Sequence, residues 1–442
     1  MKKNSLFTKF RGSDPLKGPL SSRLRLENLE DRRLLSVTDL AGLAAASDAA
    51  EPVQYAAAAN VSDAAIDVSS VLKTSGTAAL QALTDAGVVF NVLGASTDEQ
   101  VDEMYITSVP GGELSLGAFP NLTKLHVKSC ALTSLDVSNA PNLRTLYCDV
   151  NNLTTLDVSA NTSLEWLTCS DNSLTTLTLG ANTNLRILGC SNNNFTTLNL
   201  SANTGLTDLY CSENINLTTL DVSANTNLEW LDCCDNVNLS TLILGANTSL
   251  NWLDCSNTNL STLDVSANPG LATLDCSSTN LSTLDLSQNT SLNWLDCSNT
   301  NLSTLDLGEN VNLVWLECNN NPHLTTLDVS ANTNLTTLSV VSNFSLTTFV
   351  LGAMTGLTTL DCYSNPNLTA LDVSAITSLA ELYCHNNNLT TLTLGANTNL
   401  TVLYCFNNNL TTLDVSAITS LEDLACENNN LTTLNLSANT LL

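Results

Sequence analysis

LTTLDVSANTSLEWLTCSDNS, from Leu153 to Ser173, is one of a long series of near-copies. The same frame restarts at Leu174, Phe195, Leu217 and Leu239 and continues to Leu431, a period of 21 or 22 residues. A fixed period of this length means a solenoid, in which each unit buries its apolar face only against its neighbours. Each copy holds two nested halves. Leu153-x-x-Leu156-x-Val158 is followed by Ser159-Ala160-Asn161, and Leu164-x-x-Leu167-x-Cys169 by Ser170-Asp171-Asn172. Leu-x-Val and Leu-x-Cys have the period of two that a strand requires. The spacing between leucines is too short for a helix of several turns. The expected coil therefore has two nearly flat sides joined by turns rich in Asn, Ser, Thr and Gly. Six side chains per coil, here Leu153, Leu156, Val158, Leu164, Leu167 and Cys169, are assigned to the core. At about 1.5–3 kcal/mol for each large aliphatic side chain buried, they drive the stacking.

The array takes up the chain from Leu114 to Leu442, about fifteen coils and roughly 70 Å at strand spacing. Ahead of it, residues 1–36 form a basic leader and residues 37–66 an Ala-, Ser- and Asp-rich linker. Residues 67–113 are expected to form an N-terminal cap. It would hold a short helix around Ala78–Asp85, with Thr77 as N-cap and Gly87 as stop, and a strand over Val101–Val109.

Fifteen cysteines invite a disulfide reading, but thirteen of them, from Cys148 to Cys426, occupy one repeat position. Val127 and Val340 take that position in two other units, so it requires a small apolar residue. Stacked strands set neighbouring thiols about 4.8 Å apart at Cα with parallel Cβ vectors, which suits a ladder of buried free thiols. Cys130 and Cys234 fall out of register and are the candidates for a reactive thiol. There is no CxxC pair, and His126, His323 and His385 are scattered, which argues against zinc. The recurrent Asn exemplified by Asn172 sits where the backbone turns inward and is expected to satisfy its unpaired groups.

The formal net charge is −28, and nine of the fourteen Lys and Arg residues precede Val37. None follows Arg186. Such a surface repels phosphate backbones and anionic headgroups, which argues against nucleic acid and membrane surfaces as partners. Sugars, basic protein patches or divalent cations suit it better. No apolar run of about 18 residues is present to span a membrane.

The pattern LxxLxCxxNxL resembles the strand-and-Asn segment of leucine-rich repeats, with Cys at the third Leu position. From Leu114 onward the chain is similar to the bacterial short-repeat subclass, and above all to internalin-type surface adhesins with a cysteine ladder. That resemblance implies a leucine-rich-repeat solenoid, mostly β, with few or no helices in the array, and a non-catalytic protein that contacts host or neighbouring cells. Arg23–Ser36 also resembles the LEPR-x-LL motif of exported bacterial surface proteins, with Asp31 in place of its Pro. It implies an extracellular or cell-surface location.

On the Leu-x-x-Leu-x-Cys strand the third and fifth positions face away from the core. The third position collects all five tryptophans, Trp166, Trp230, Trp252, Trp294 and Trp315. The fifth carries Asp232, Asp254, Asp275, Asp296 and Glu317 in five consecutive coils, and later Tyr383 and Tyr404. Indoles stack on sugars or cations, and carboxylates accept hydrogen bonds from hydroxyls, so these residues are the candidate ligand platform. Exposed carboxylates at this spacing repel by about 0.8 kcal/mol per adjacent pair, which a basic partner or calcium would relieve. No other cofactor is called for. The competing reading is strand-face decoration by recent duplication, since SLNWLDCSNTNLSTLD occurs twice, from Ser249 and from Ser291. A second Asp column, including Asp221, Asp264 and Asp285, is expected to cap turns on the back side.

For catalysis there is no Ser/His/acid arrangement, and the outward carboxylates have no pocket to raise a pKa. The expected function is an adhesion or interaction module binding a protein or glycan on the strand face. A surface-layer spacer and an intracellular scaffold are the alternatives. A C-terminus that stops midway through a unit suggests a pairing partner, end-to-end self-association or a truncated gene product.

Overall fold

The computed structural model describes residues 82, 83, 85–93, 101–395 and 397–442. The leader, the linker, Thr77 and the first part of the expected helix lie outside the described residues. Ala82, Leu83 and Asp85 are helical. The helix ends at Gly87, whose φ of +73° only glycine adopts without strain. The Val88 N–H reaches back to the Leu83 carbonyl at 3.0 Å. Strand β1 (Val89–Leu93) pairs antiparallel with β2 (Glu103–Ser108), a hairpin for which the sequence reading has only the second strand. β2 then pairs in parallel with Lys124–His126 of the first coil.

From there the chain is a leucine-rich-repeat solenoid. Each coil places one three-residue strand in a continuous sheet of 17 strands, parallel from β2 onward. The opposite side carries short two-stranded ladders, such as Thr219–Asp221 with Thr241–Ile243. Each front-sheet register advances by one repeat, for instance Trp230 to Trp252 and Leu231 to Leu253. The assigned core positions are inside: Leu153, Leu156, Val158, Leu164, Leu167 and Cys169 are all at most 2 % exposed.

Three buried columns run along the array. The cysteine ladder is free of disulfides, and all its members but the half-buried Cys426 are buried. Burial pushes thiols such as Cys233 and Cys276 far above the ordinary range. The expected Asn column closes the turn after each front strand. Asn172 Nδ2 donates to the Cys148 and Cys169 carbonyls at 3.1 and 3.0 Å, while its Oδ1 accepts the Leu153 N–H. These bonds hold the preceding residue in a left-handed conformation, from Val150 (φ 56°) and Asp171 (φ 55°) to Asn428 (φ 54°). In three successive coils Thr258, Thr279 and Thr300 take the place of Asn. Their hydroxyls donate to the Cys255, Cys276 and Cys297 carbonyls, so one of the bonds is kept. A second Asn column, not expected from sequence, runs through Asn161, Asn225, Asn289 and Asn332, each fully buried. Its amides donate to turn carbonyls of the preceding coil, as Asn289 does to Val265 and Asn268.

Candidate functional site

The front sheet arranges its outward residues by coil register alone. Trp230 lies beside Trp252, and Trp294 beside Trp315, with Thr273 between the pairs. The Trp230 and Trp252 rings stack with centroids 4.0 Å apart and planes 11° from parallel. Tyr210, buried, leans on Trp230 at 6.5 Å. The four indoles are half-buried. Trp166 does not join them, because Ile187 and Asp208 occupy the two intervening coils. It sits instead at the end of an N-terminal aromatic run, Tyr105–His126–Tyr147, whose rings stack at 4.3 and 4.5 Å. Burial, helped by Lys124, holds His126 down at about 4, so it is neutral there.

Asp232, Asp254, Asp275, Asp296 and Glu317 are register partners in five consecutive strands. Their setting corrects the picture of exposed acceptors. Asp254 is only 2 % exposed and Asp296 7 %. The physical reason is local. Asp254, Asp275 and Asp296 each fold back onto the serine two residues later: Asp254 accepts the Ser256 N–H at 2.9 Å and its hydroxyl at 2.6 Å. Asp275 does the same with Ser277, and Asp296 accepts the Ser298 N–H at 2.8 Å. Two positions earlier on the same face stand Trp252 before Asp254, Thr273 before Asp275 and Trp294 before Asp296.

Burial therefore governs their protonation, against the expectation that nothing here raises a pKa. Burial and the neighbouring Asp232 push Asp254 up to about 8. Burial, with Asp254 and Asp296 on either side, drives Asp275 well above the carboxylate range. Asp296 is raised by burial, and Glu317 goes up to about 7 from burial and Asp296. Asp361, in the same repeat position two coils beyond Glu317, extends the trend at about 6 through burial and Glu381. At a strand spacing of about 4.8 Å and an effective dielectric near 20, adjacent charges would repel by about 3.5 kcal/mol, well above the value for exposed groups.

The back column shows the opposite result of the same Asp-x-Ser geometry. Asp221, Asp264 and Asp285 cap their turns by accepting the N–H of Ser223, Ser266 and Ser287. They stand in solvent, and these serine hydrogen bonds lower their pKa.

Tyr383 and Tyr404 meet edge to face at 5.3 Å, far along the sheet from the tryptophans. Their hydroxyls donate to Glu381 and Asp423. Beside them Tyr363, His385 and Phe406 form a stack at 4.6 and 4.4 Å. Cys130 and Cys234, the candidates for a reactive thiol, are both buried, and burial raises both thiols, which argues against reactivity in the folded chain. Cys234 stands where later coils have Ser256 or Ser277, and its sulfur lies within 4.8 Å of oxygens of Asp232 and Asp254. Among the described residues this is the one grouping of three metal-type donors. No described helix is long and apolar enough to cross a membrane.

Among solved structures, the chain is similar to the functional domain of InlJ from Listeria monocytogenes, which includes a cysteine ladder. The identity is 37 %, with 68 % of this chain and 67 % of that chain covered, at a TM-score of 0.57. Internalin InlF of the same organism matches at 18 % identity and TM-score 0.43, covering 85 % of this chain and 100 % of that one. A leucine-rich-repeat protein of Leptospira interrogans matches at 21 % and 0.43, covering 71 % and 74 %. No protein-family model matches the chain, and no curated protein does. The repeat register, the thiol ladder and the likeness to InlJ together establish that this chain belongs to the internalin-type leucine-rich-repeat proteins with a cysteine ladder.

Proposed function

We propose that this chain is a non-catalytic interaction module, exported or displayed at a bacterial surface, that recognises a protein or glycan with its front sheet. The observation that carries this reading is the pairing of half-buried indoles in consecutive coils, Trp230 stacked on Trp252 at 4.0 Å. Two parallel rings offer a broad apolar face at little entropic cost, and such faces dominate recognition surfaces. The basic segment Arg23–Ser36, with its resemblance to an export motif, supports the location. The raised carboxylates are not read as catalytic, because they form a ladder of equivalent groups with no nucleophile or second role among them.

The test is a binding screen of the full chain against glycans and surface proteins, with and without calcium. Trp252→Ala and Trp294→Ala should each abolish the hits, and Trp166→Ala should leave them. Hits that survive both front-face changes would refute the reading and favour the spacer that the near-verbatim units from Ser249 and Ser291 suggest.

A further inference from the structure

We infer that the cavity over Gly205, on the flank where the chain enters the front strands, binds a small zwitterion: a free α-amino acid held between the Arg186 guanidinium and the Glu229 carboxylate. The site lies apart from the indoles and does not depend on the reading of that face.

The cavity encloses about 350 Å³ and is lined by polar residues of consecutive coils, among them Asn184, Arg186, Gly205, Thr207, Asn227 and Glu229. A break in the repeat creates it. The coils on either side carry Asn184 and Asn227 in the turn before the front strand. Each amide donates to a carbonyl of the preceding coil, Asn184 to Thr162 at 3.4 Å and Asn227 to Thr204 at 3.0 Å. The coil between them has Gly205 at this position. A Cβ there would come within 2.2 Å of the Thr183 carbonyl oxygen, so no side chain fits without a backbone shift. The gap stays open, and no described residue donates to the Thr183 carbonyl that lines it.

Two residues further on, register sets the charges. The Thr207 N–H donates to the Arg186 carbonyl and the Glu229 N–H to the Thr207 carbonyl, both at 2.8 Å, so Arg186 and Glu229 flank Thr207 in one row. Two strand spacings put their backbones about 9.6 Å apart. An amino acid with its carboxylate on the guanidinium and its ammonium on the glutamate spans about 9 Å, counting a charge-assisted hydrogen bond at each end. The acid on the other side of Arg186, Glu165, is engaged by Arg144 at 2.9 Å, the one ion pair among the described residues. The Thr207 hydroxyl donates to Asp208 at 2.6 Å, which leaves its oxygen to accept from the ammonium. The Thr183 carbonyl is left for a donor on the ligand's side chain, and the serine hydroxyl is the smallest that serves.

The charge pattern excludes simpler ligands. A chain of formal net charge −28 repels an anion, whereas a zwitterion carries no net charge to repel. The same repeat position holds glycine again at Gly270 and Gly356, but the rows two residues on are flanked by Asn251 and Asn293, and by Thr336 and Ala380. Of these three gaps only the one at Gly205 has opposite charges on its two sides.

The experiment titrates L-serine into the full chain and reads binding by saturation-transfer difference NMR. N-acetyl-L-serine, which lacks the ammonium, and ethanolamine, which lacks the carboxylate, are the controls. L-serine should saturate the site in the millimolar range or below, at least ten-fold more tightly than either control. Arg186→Gln and Glu229→Gln alter exposed side chains and should each cost at least ten-fold. Glu422→Gln, at the same repeat position far along the array, should change binding less than two-fold, and Trp252→Ala should leave it intact. Absence of saturation by L-serine, equal binding of either control, or undiminished binding in both cavity variants would overturn the inference. Loss of L-serine binding in Trp252→Ala would overturn it too, by moving the ligand to the indole face. Failure on any of these counts leaves the proposed recognition face untouched.

Discussion

Asp254→Asn should stabilise the protein, and by an amount that grows with pH. Asp254 is 2 % exposed and keeps its proton until about pH 8, whereas the unfolded chain releases it near 3.8. Its folded value lies above its unfolded one. The group therefore costs nothing below the unfolded value, and stability falls as pH rises from about 4 towards 8. At 1.36 kcal/mol per pH unit, the ceiling at pH 8 is about 6 kcal/mol. Asp275, itself raised, can carry the proton in its stead, which brings the expected cost down to about 2–4 kcal/mol. Asparagine fits the same space, and its Oδ1 still accepts the Ser256 N–H and hydroxyl, so little is lost in exchange. Urea midpoints of wild type and variant at pH 5.5 and pH 8 measure the difference. The gain at pH 8 should exceed that at pH 5.5 by about 1–3 kcal/mol. A gain independent of pH, or a net loss at pH 8, would refute the claim that burial and like charge set the ladder's protonation.

Two further outcomes follow from the columns behind the sheet. Asn193→Ala removes an amide that donates to the Cys169, Cys190 and Ser191 carbonyls and accepts the Leu174 N–H, all in a buried turn. It should destabilise by about 2–4 kcal/mol in chemical denaturation, against about 1 kcal/mol or less for exposed Asn184→Ala. The thiols should be inert while the protein is folded. An aromatic disulfide reagent should find all 15 cysteines in denaturant and essentially only Cys426 in the native state, with Cys130 and Cys234 protected. Rapid native labelling of Cys234 would contradict its burial.

The architecture was legible because it depends on period alone. Counting coils from Leu153 was enough to place the core leucines of the array, the thiol ladder and the Asn172-type column, and to pair Trp230 with Trp252. What period cannot carry is depth. Asp254 and Asp264 have the same Asp-x-Ser motif, yet one is buried and protonated and the other solvated and ionised. The difference comes from neighbouring coils: Asp254 stands in register between Asp232 and Asp275 on the front sheet, buried there, while Asp264 is solvated on the back side. Likewise Trp166 shares its repeat position with the other indoles but not their company, because Ile187 and Asp208 follow it. The hairpin strand Val89–Leu93 escaped notice since it lies outside the repeat and has no alternation to mark it. The Asn161 column was hidden among exposed turn residues, where Asn is expected for its conformation and its burial leaves no trace in the letters.

Coil-on-coil register at the indole pair is the claim on which both the recognition face and the acid ladder stand, and circular dichroism of the full chain tests it directly. Two indoles stacked at 4.0 Å couple their transitions. A bisignate tryptophan band should therefore appear, vanish in Trp230→Phe and in Trp252→Phe alike, and persist in Trp166→Phe. A spectrum in which each of the three changes removes a similar, additive share would mean that the rings do not stack and that the face is not built as described.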